Sequence, residues 1–171
     1  MLHTARLELI PSTLEHLAAE LREPNGLGPL LGVVVPGDWP PGEYDRDAQE
    51  YFRERLEAGG PVGWFGWYAV TRGSEGQREA LVACGGYFGP PEGGTVELGY
   101  SVVPSARRKG FATEMVQALL ARALADPAVA QVIAHTSDGN LASTRVLLRC
   151  GFQRVGPEPD TGMILYRFSH A

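Results

Sequence analysis

The sequence predicts an α/β fold, one domain over residues 1–171, with a mixed and mostly antiparallel sheet, a splayed parallel central pair and flanking helices. Three observations predict it. Residues 64–71, 81–88 and 95–103 are strand-length runs joined by short turns rich in Gly and Pro, the pattern of an antiparallel meander. A helix-period segment beginning after Gly110 separates the strand at 95–103 from another at 129–136, so these two are expected to be parallel neighbours in a right-handed crossover. Segments 152–155 and 163–168 then read as a terminal strand pair.

The elements follow in order. Residues 5–10 alternate as a first strand. Ser12-Thr13-Leu14-Glu15 has capping-box spacing, with Ser12 as the cap of a helix that stops near Arg22, before Pro24. Residues 23–44 are rich in Gly and Pro and read as a long loop containing Trp39-Pro40-Pro41. Asp45 caps a second helix with Ala48, Tyr51, Phe52 and Leu56 on its apolar side, and Gly59-Gly60-Pro61 ends it. Trp64 and Trp67 are expected on opposite faces of the first meander strand, and Arg72-Gly73-Ser74-Glu75-Gly76 turns into the second. The helix after Gly110 buries Met115, Leu119, Leu120 and Ala123, and Asn140 to Cys150 is a short helix closed by Gly151.

Composition narrows the function classes. The 171 residues hold 44% hydrophobic and 20% charged residues, enough for one ordinary core. The net charge of −5 argues against a nucleic-acid surface and makes the basic run at 107–109 a local feature. Cys84 and Cys150 form no CxxC pair and read as reduced, buried thiols. The N-terminus carries no signal peptide and no apolar run reaches membrane-spanning length, so a cytoplasmic protein without a membrane partner is expected. His3, His16 and His170 show no ligand spacing, and no metal site is expected. The oligomeric state, a homodimer included, is left open.

The most informative stretch is the strand 95–103 running through Pro104 into Arg107-Arg108-Lys109-Gly110-Phe111-Ala112 and directly into a helix. A helix N-terminus offers unpaired N–H groups and a partial positive charge, and Gly110 lets a ligand approach the backbone. Arg107, Arg108 and Lys109 add full charges, so the segment suits a pyrophosphate. A solvated basic turn is the plainer alternative, and the strand-turn-helix context argues against it.

Arg107-Arg108-Lys109-Gly110-Phe111-Ala112, Glu97-Leu98-Gly99-Tyr100, Asn140-Leu141-Ala142-Ser143 and Gly151-Phe152 together resemble the GCN5-related N-acetyltransferase superfamily over about residues 2–168. The Asn-x-x-Ser form is most similar to the subgroup that includes the ribosomal-protein alanine and serine acetyltransferases. The resemblance implies acetyl-CoA as acetyl donor. It also implies that backbone groups of Val102 and Val103 pair with the pantetheine arm, that N–H groups from Arg108 to Thr113 hold the pyrophosphate, and that Asn140 bonds the pantetheine. The backbone N–H of Val103 is the implied oxyanion donor. Asn140 is equally a preferred N-cap, and the two roles are compatible.

Acetyl transfer needs a deprotonated amine, a positioned thioester and a proton for the leaving thiolate. Val96, Leu98, Tyr100 and Val102 share one strand face, and Glu97, Gly99 and Ser101 share the other. Glu97, flanked by small residues, is the candidate base, or else a solvent-facing carboxylate. The resembled family often uses a tyrosine as acid where this chain has Leu147, so Ser143 becomes the candidate donor to the thiolate. His135, at a strand end where the cleft should open, is a candidate base, relay or amine contact. Trp39 is the candidate aromatic wall for the amine, with Asp38, Glu43 and Asp45 as charge partners. The expected activity is an acetyl-CoA-dependent N-acetyltransferase acting on a protein N-terminus or small-molecule amine by direct attack in a ternary complex. The alternatives are a CoA-binding sensor without turnover and a transferase of longer acyl groups.

Overall fold

The computed structural model describes residues 1–169; His170 lies outside the described residues. The strands are β1 (Leu2–His3), β2 (Leu7–Pro11), β3 (Gly66–Arg72), β4 (Arg78–Tyr87), β5 (Thr95–Val102), β6 (Gln131–Thr136), β7 (Gln153–Pro157) and β8 (Ile164–Ser169). They form one sheet of order β1-β2-β3-β4-β5-β6-β8-β7. Every neighbouring pair is antiparallel except β5 and β6. The helices are α1 (Leu14–Arg22), α2 (Leu27–Leu31), α3 (Arg46–Glu57), α4 (Phe111–Leu124) and α5 (Leu141–Arg149). The meander, the crossover and the terminal hairpin stand as expected. The two-residue β1 and the single helical turn of α2, inside the loop at 23–44, are too short for a periodicity to reveal them.

The two faces of the sheet are covered differently. A Cβ built on Gly85 would meet Met115 of α4, whereas one on Gly66 would meet Phe52 of α3. Gly66 pairs with Gly86, and Gly86 with Gly99, so Gly99 and its same-face neighbours Glu97 and Ser101 lie on the α3 side. The α4 side buries Met115, Leu119, Leu120 and Ala123, the positions the helical period selects, and Val116 besides.

Local corrections follow from side chains. The cap of α1 is Thr13, whose hydroxyl accepts from the His16 N–H while the His16 ring reaches back to the Thr13 N–H. Ser12 is buried instead, and its hydroxyl donates to the Gly66 carbonyl at 2.9 Å. Trp64 and Trp67 do not face opposite ways, because the Arg122 guanidinium lies over both rings, at 4.4 and 5.3 Å. Trp64 precedes β3, so strand alternation does not govern it. Asp45 caps α3 as expected, accepting from the Ala48 N–H at 3.0 Å.

The loop before α3 is held by a buried carboxylate. Glu20 on α1 accepts from Trp39 Nε1 at 2.7 Å, Tyr44 Oη at 2.9 Å and Tyr68 Oη at 2.8 Å. Burial pushes its pKa up, and the hydrogen bonds from Tyr68, Trp39 and Tyr44 oppose that shift. Buried polar groups need partners, so this set fixes α1, the loop and β3 relative to one another.

Candidate functional site

The parallel pair β5–β6 is joined only at Thr95–Gln131, Val96–Val132 and Glu97–Ile133. Beyond Glu97, β5 follows β4 to Val102 and β6 follows β8 to Thr136, so the two strands part and leave a wedge. Glu97 stands at its apex. Two shallow depressions, about 520 Å³ by Gly28, Val34 and Arg78 and about 290 Å³ by Glu20, Pro40 and Gln49, lie apart from it. A wedge between strands is open at its mouth rather than enclosed.

Ladder alternation decides which backbone groups face the wedge. Phe88 N–H donates to the Glu97 carbonyl and Val103 N–H to the Val82 carbonyl, so the odd-numbered residues of this stretch point their polar groups at β4. Tyr100 and Val102 therefore direct theirs toward the gap. This corrects the expectation for Val103. Its N–H is bonded to the Val82 carbonyl at 3.0 Å, so it has no donor left for an oxyanion, and its carbonyl already accepts from the Ala106 N–H at 2.9 Å. Val102 faces the gap, and its carbonyl accepts from Arg107 Nε at 3.1 Å.

The turn into α4 is shaped for an anion. Arg108 has φ 65° and Gly110, the N-cap, has φ 83°, with no side chain capping the helix. Left-handed residues bracketing Lys109 turn successive N–H groups toward one concavity. Among the described residues, the N–H groups of Arg108, Lys109, Gly110, Phe111, Ala112 and Thr113 donate to no protein acceptor. The side chains of Arg107, Arg108 and Lys109 are exposed beside them.

On the opposite side of the wedge, Glu97 Oε1 lies 2.7 Å from His135 Nδ1. An ionised carboxylate only accepts, so in this contact Nδ1 is the donor. Glu158, from the hairpin between β7 and β8, lies 3.9 Å from Nε2. Glu97 is 36% exposed and His135 24%, so both remain reachable from solvent. Sequence named both residues but not their contact. The parallel register makes that contact, placing Glu97 beside Ile133 and His135 two residues further on the same face.

Asn140 caps α5 by accepting from the Ser143 N–H at 3.0 Å, leaving its amide donors unassigned. Ser143 Oγ is 2.8 Å from Tyr100 Oη, which also lies 3.1 Å from the Ser143 carbonyl. Burial pushes the Tyr100 pKa up to about 12, against the hydrogen bond from Ser143, so the phenol keeps its proton. Sequence reasoning placed Tyr100 on the apolar face and missed this partnership. Leu147 is fully buried, confirming a core residue where the resembled pattern has tyrosine.

Trp39 is the largest correction on the amine side. It is 5% exposed with its indole N–H bound to Glu20, so it is a core residue and not a wall. The expected charge partners change too: Asp38 accepts from the Ser105 N–H at 2.7 Å and the Ser105 hydroxyl at 3.0 Å, and Asp45 is spent on its cap. Glu43 is exposed. Cys84 is buried and its thiol pKa is pushed up by burial; burial also raises Cys150, to about 11. Neither thiol is therefore primed as a nucleophile. Among the described residues no cluster of three or more His, Cys, Asp or Glu could hold a metal, and no helix is long and apolar enough to cross a membrane.

Known proteins resemble this chain in sequence and in fold. A family model described as an acetyltransferase (GNAT) domain covers residues 6–153. The N-acetyltransferase YjdG of Bacillus subtilis is 31% identical over 154 residues, which is 89% of this chain and 89% of that protein. RimL, a ribosomal alpha-N-protein acetyltransferase solved with coenzyme A, superposes with a TM-score of 0.64 at 15% identity, covering 97% of this chain and 95% of its own. The aminoglycoside acetyltransferase AAC(6')-Ib, solved with coenzyme A and kanamycin, gives a TM-score of 0.60 at 20% identity, with coverage of 96% and 95%.

Proposed function

This chain belongs to the GNAT acetyltransferase family, and from that premise we propose that it transfers an acetyl group from acetyl-CoA to a primary amine by direct attack in a ternary complex. The observation that carries the reading is the run of unpaired N–H groups from Arg108 to Thr113 beside a wedge whose apex holds Glu97. Those amides, with Arg107, Arg108, Lys109 and the start of α4, take the diphosphate. Gly110, Phe111 and Ala112 admit it because two of them have side chains of a methyl or less. The gap-facing backbone of Val102 receives the arm in place of Arg107, and the amide donors of Asn140 reach its far end.

The amine loses its proton to the Glu97–His135 pair. Glu97 accepts it directly or through a water, and His135 holds the carboxylate in place through Nδ1. The ring's Nε2 favours a second assignment, in which His135 takes the proton and Glu97 orients the ring. At the sulfur, Ser143 Oγ gives a hydrogen bond that stabilises the leaving thiolate, and Tyr100 Oη, which keeps its proton, holds Ser143 in place across 2.8 Å. No enzyme thiol takes part.

The test is thiol release from acetyl-CoA across a panel of amines and short N-terminal peptides. Release that depends on the acceptor is expected. Binding of acetyl-CoA with no acceptor-dependent release from any of them overturns the transferase reading in favour of a CoA sensor. Faster release from longer acyl-CoAs would move the donor assignment from acetyl to a larger acyl group.

A further inference from the structure

The pyrophosphate turn does not hold its shape alone. Arg6, from the segment before β2, sends Nη1 to the Lys109 carbonyl at 2.8 Å and Nε to Glu114 Oε2 at 2.8 Å. Its own N–H donates to Glu114 Oε1 at 2.7 Å, and its guanidinium lies 4.7 Å from the centre of the Phe111 ring. Thr4 Oγ1 donates to the same Glu114 oxygen at 2.5 Å. These contacts grip three of the residues that frame the anion-binding turn, Lys109, Phe111 and Glu114, from outside the turn. They span more than a hundred residues of sequence.

One nitrogen of the fork is left over. Among the described residues Arg6 Nη2 has no protein acceptor, and a Cβ built on Gly110 would lie 3.3 Å from it. The missing side chain of Gly110 therefore has two consequences: it permits φ 83°, and it leaves room for a guanidinium N–H next to the cradle. Lysine could not take this place. A planar fork satisfies a carboxylate, a carbonyl and a third acceptor at fixed angles, whereas an ammonium is a point charge.

We infer that Arg6 is a positioning residue for the acetyl donor: it locks the Arg108–Gly110 turn in its anion-binding shape and adds its Nη2 charge to the diphosphate side of the cradle. The inference rests on the proposal above that coenzyme A docks its diphosphate on these amides. The diphosphate is the part addressed, because Gly110 sits at the N-terminus of α4 where that group would lie.

Calorimetric titration of the full chain with coenzyme A and with dephospho-coenzyme A, which lacks only the 3'-phosphate, tests it. Arg6→Gln should weaken both ligands equally, by about tenfold or more for a lost charge-assisted contact. Arg6→Lys, which keeps the charge and folds if Arg6→Gln does not, should recover only part of that loss. The KM for acetyl-CoA should rise while the KM for the amine stays. A loss confined to coenzyme A would place Arg6 on the 3'-phosphate and overturn the assignment. A lowered melting temperature with unchanged dissociation constants would make Arg6 purely structural and overturn it as well. If the unaltered chain binds neither ligand, the cofactor reading itself fails, which is a separate and visible outcome.

Discussion

On the side of the wedge proposed for the acetyl donor, the groups left free are main-chain N–H groups, Arg108 to Thr113, set by two left-handed residues at the start of α4. On the amine side they are side chains, Glu97 and His135, brought together by the register of β5 and β6. The first kind of site is a property of a local conformation and tolerates many side chains. The second exists only if distant strands pair in one register, since a slip of one residue would send Glu97 to the opposite face. Each side also has a carboxylate behind it, half-buried Glu114 for the turn and buried Glu20 for the loop, and the two are perturbed in opposite directions.

The largest effect that would break the division is at Glu97. Glu97→Gln should lower kcat by about 10²- to 10⁴-fold with an unchanged calorimetric affinity for coenzyme A. A parallel loss of coenzyme A affinity would show that the two sides are not separable. Next is Glu20→Ala, which strands the Trp39, Tyr44 and Tyr68 donors in the core. It should cost about 3 kcal/mol in denaturant unfolding. An amine KM that stays put in that variant would disconnect the loop from acceptor binding.

Ser143→Ala should lower kcat about tenfold, and Tyr100→Phe somewhat less, because Tyr100 acts only through Ser143. Rapid-quench measurement of the chemical step would expose the reverse order, which would promote Tyr100 to the donor itself. The smallest effect is Asn140→Ala, about 1 kcal/mol of stability from the lost α5 cap, read from chemical unfolding.

Unfolding across acidic pH separates the two supporting carboxylates. Burial raises the pKa of Glu114, but hydrogen bonds from Thr4 and Arg6 outweigh it and hold the value below the ordinary 4.5. The unfolded chain then binds the proton more readily, so the stability Glu114 contributes is present above 4.5 and lost as pH falls through its folded value. Glu20 has its pKa raised from the same 4.5, so its contribution is largest below that pH and is lost as pH rises through its folded value. Glu114→Gln should flatten the loss of stability toward acid, and Glu20→Gln should flatten the loss toward neutral pH. Parallel curves for both variants and the unaltered chain would remove this contrast.

Legibility follows the same line. The meander, the crossover and the α4 turn are visible because period, turn residues and a glycine at a helix start are local signals. Trp39 was misread because an aromatic in a Gly/Pro-rich loop looks exposed until Glu20, nineteen positions earlier, is seen to bind it. The role the resemblance implied for Val103 failed because a family pattern does not show that Val82 already holds its N–H. The Tyr100 contact was overlooked since its partner, Ser143, arrives on a helix more than forty positions later.

The sequence by itself determined the order of elements, the basic, glycine-bearing turn into α4 and the candidacy of Glu97, because each depends on residues adjacent in the chain. Only the tertiary structure decided that Glu97 meets His135, that Arg6 grips the turn and that Trp39 is core. Those outcomes depend on which groups satisfy one another across the fold, and hydrogen-bond partners separated by tens of residues leave no pattern in either segment alone.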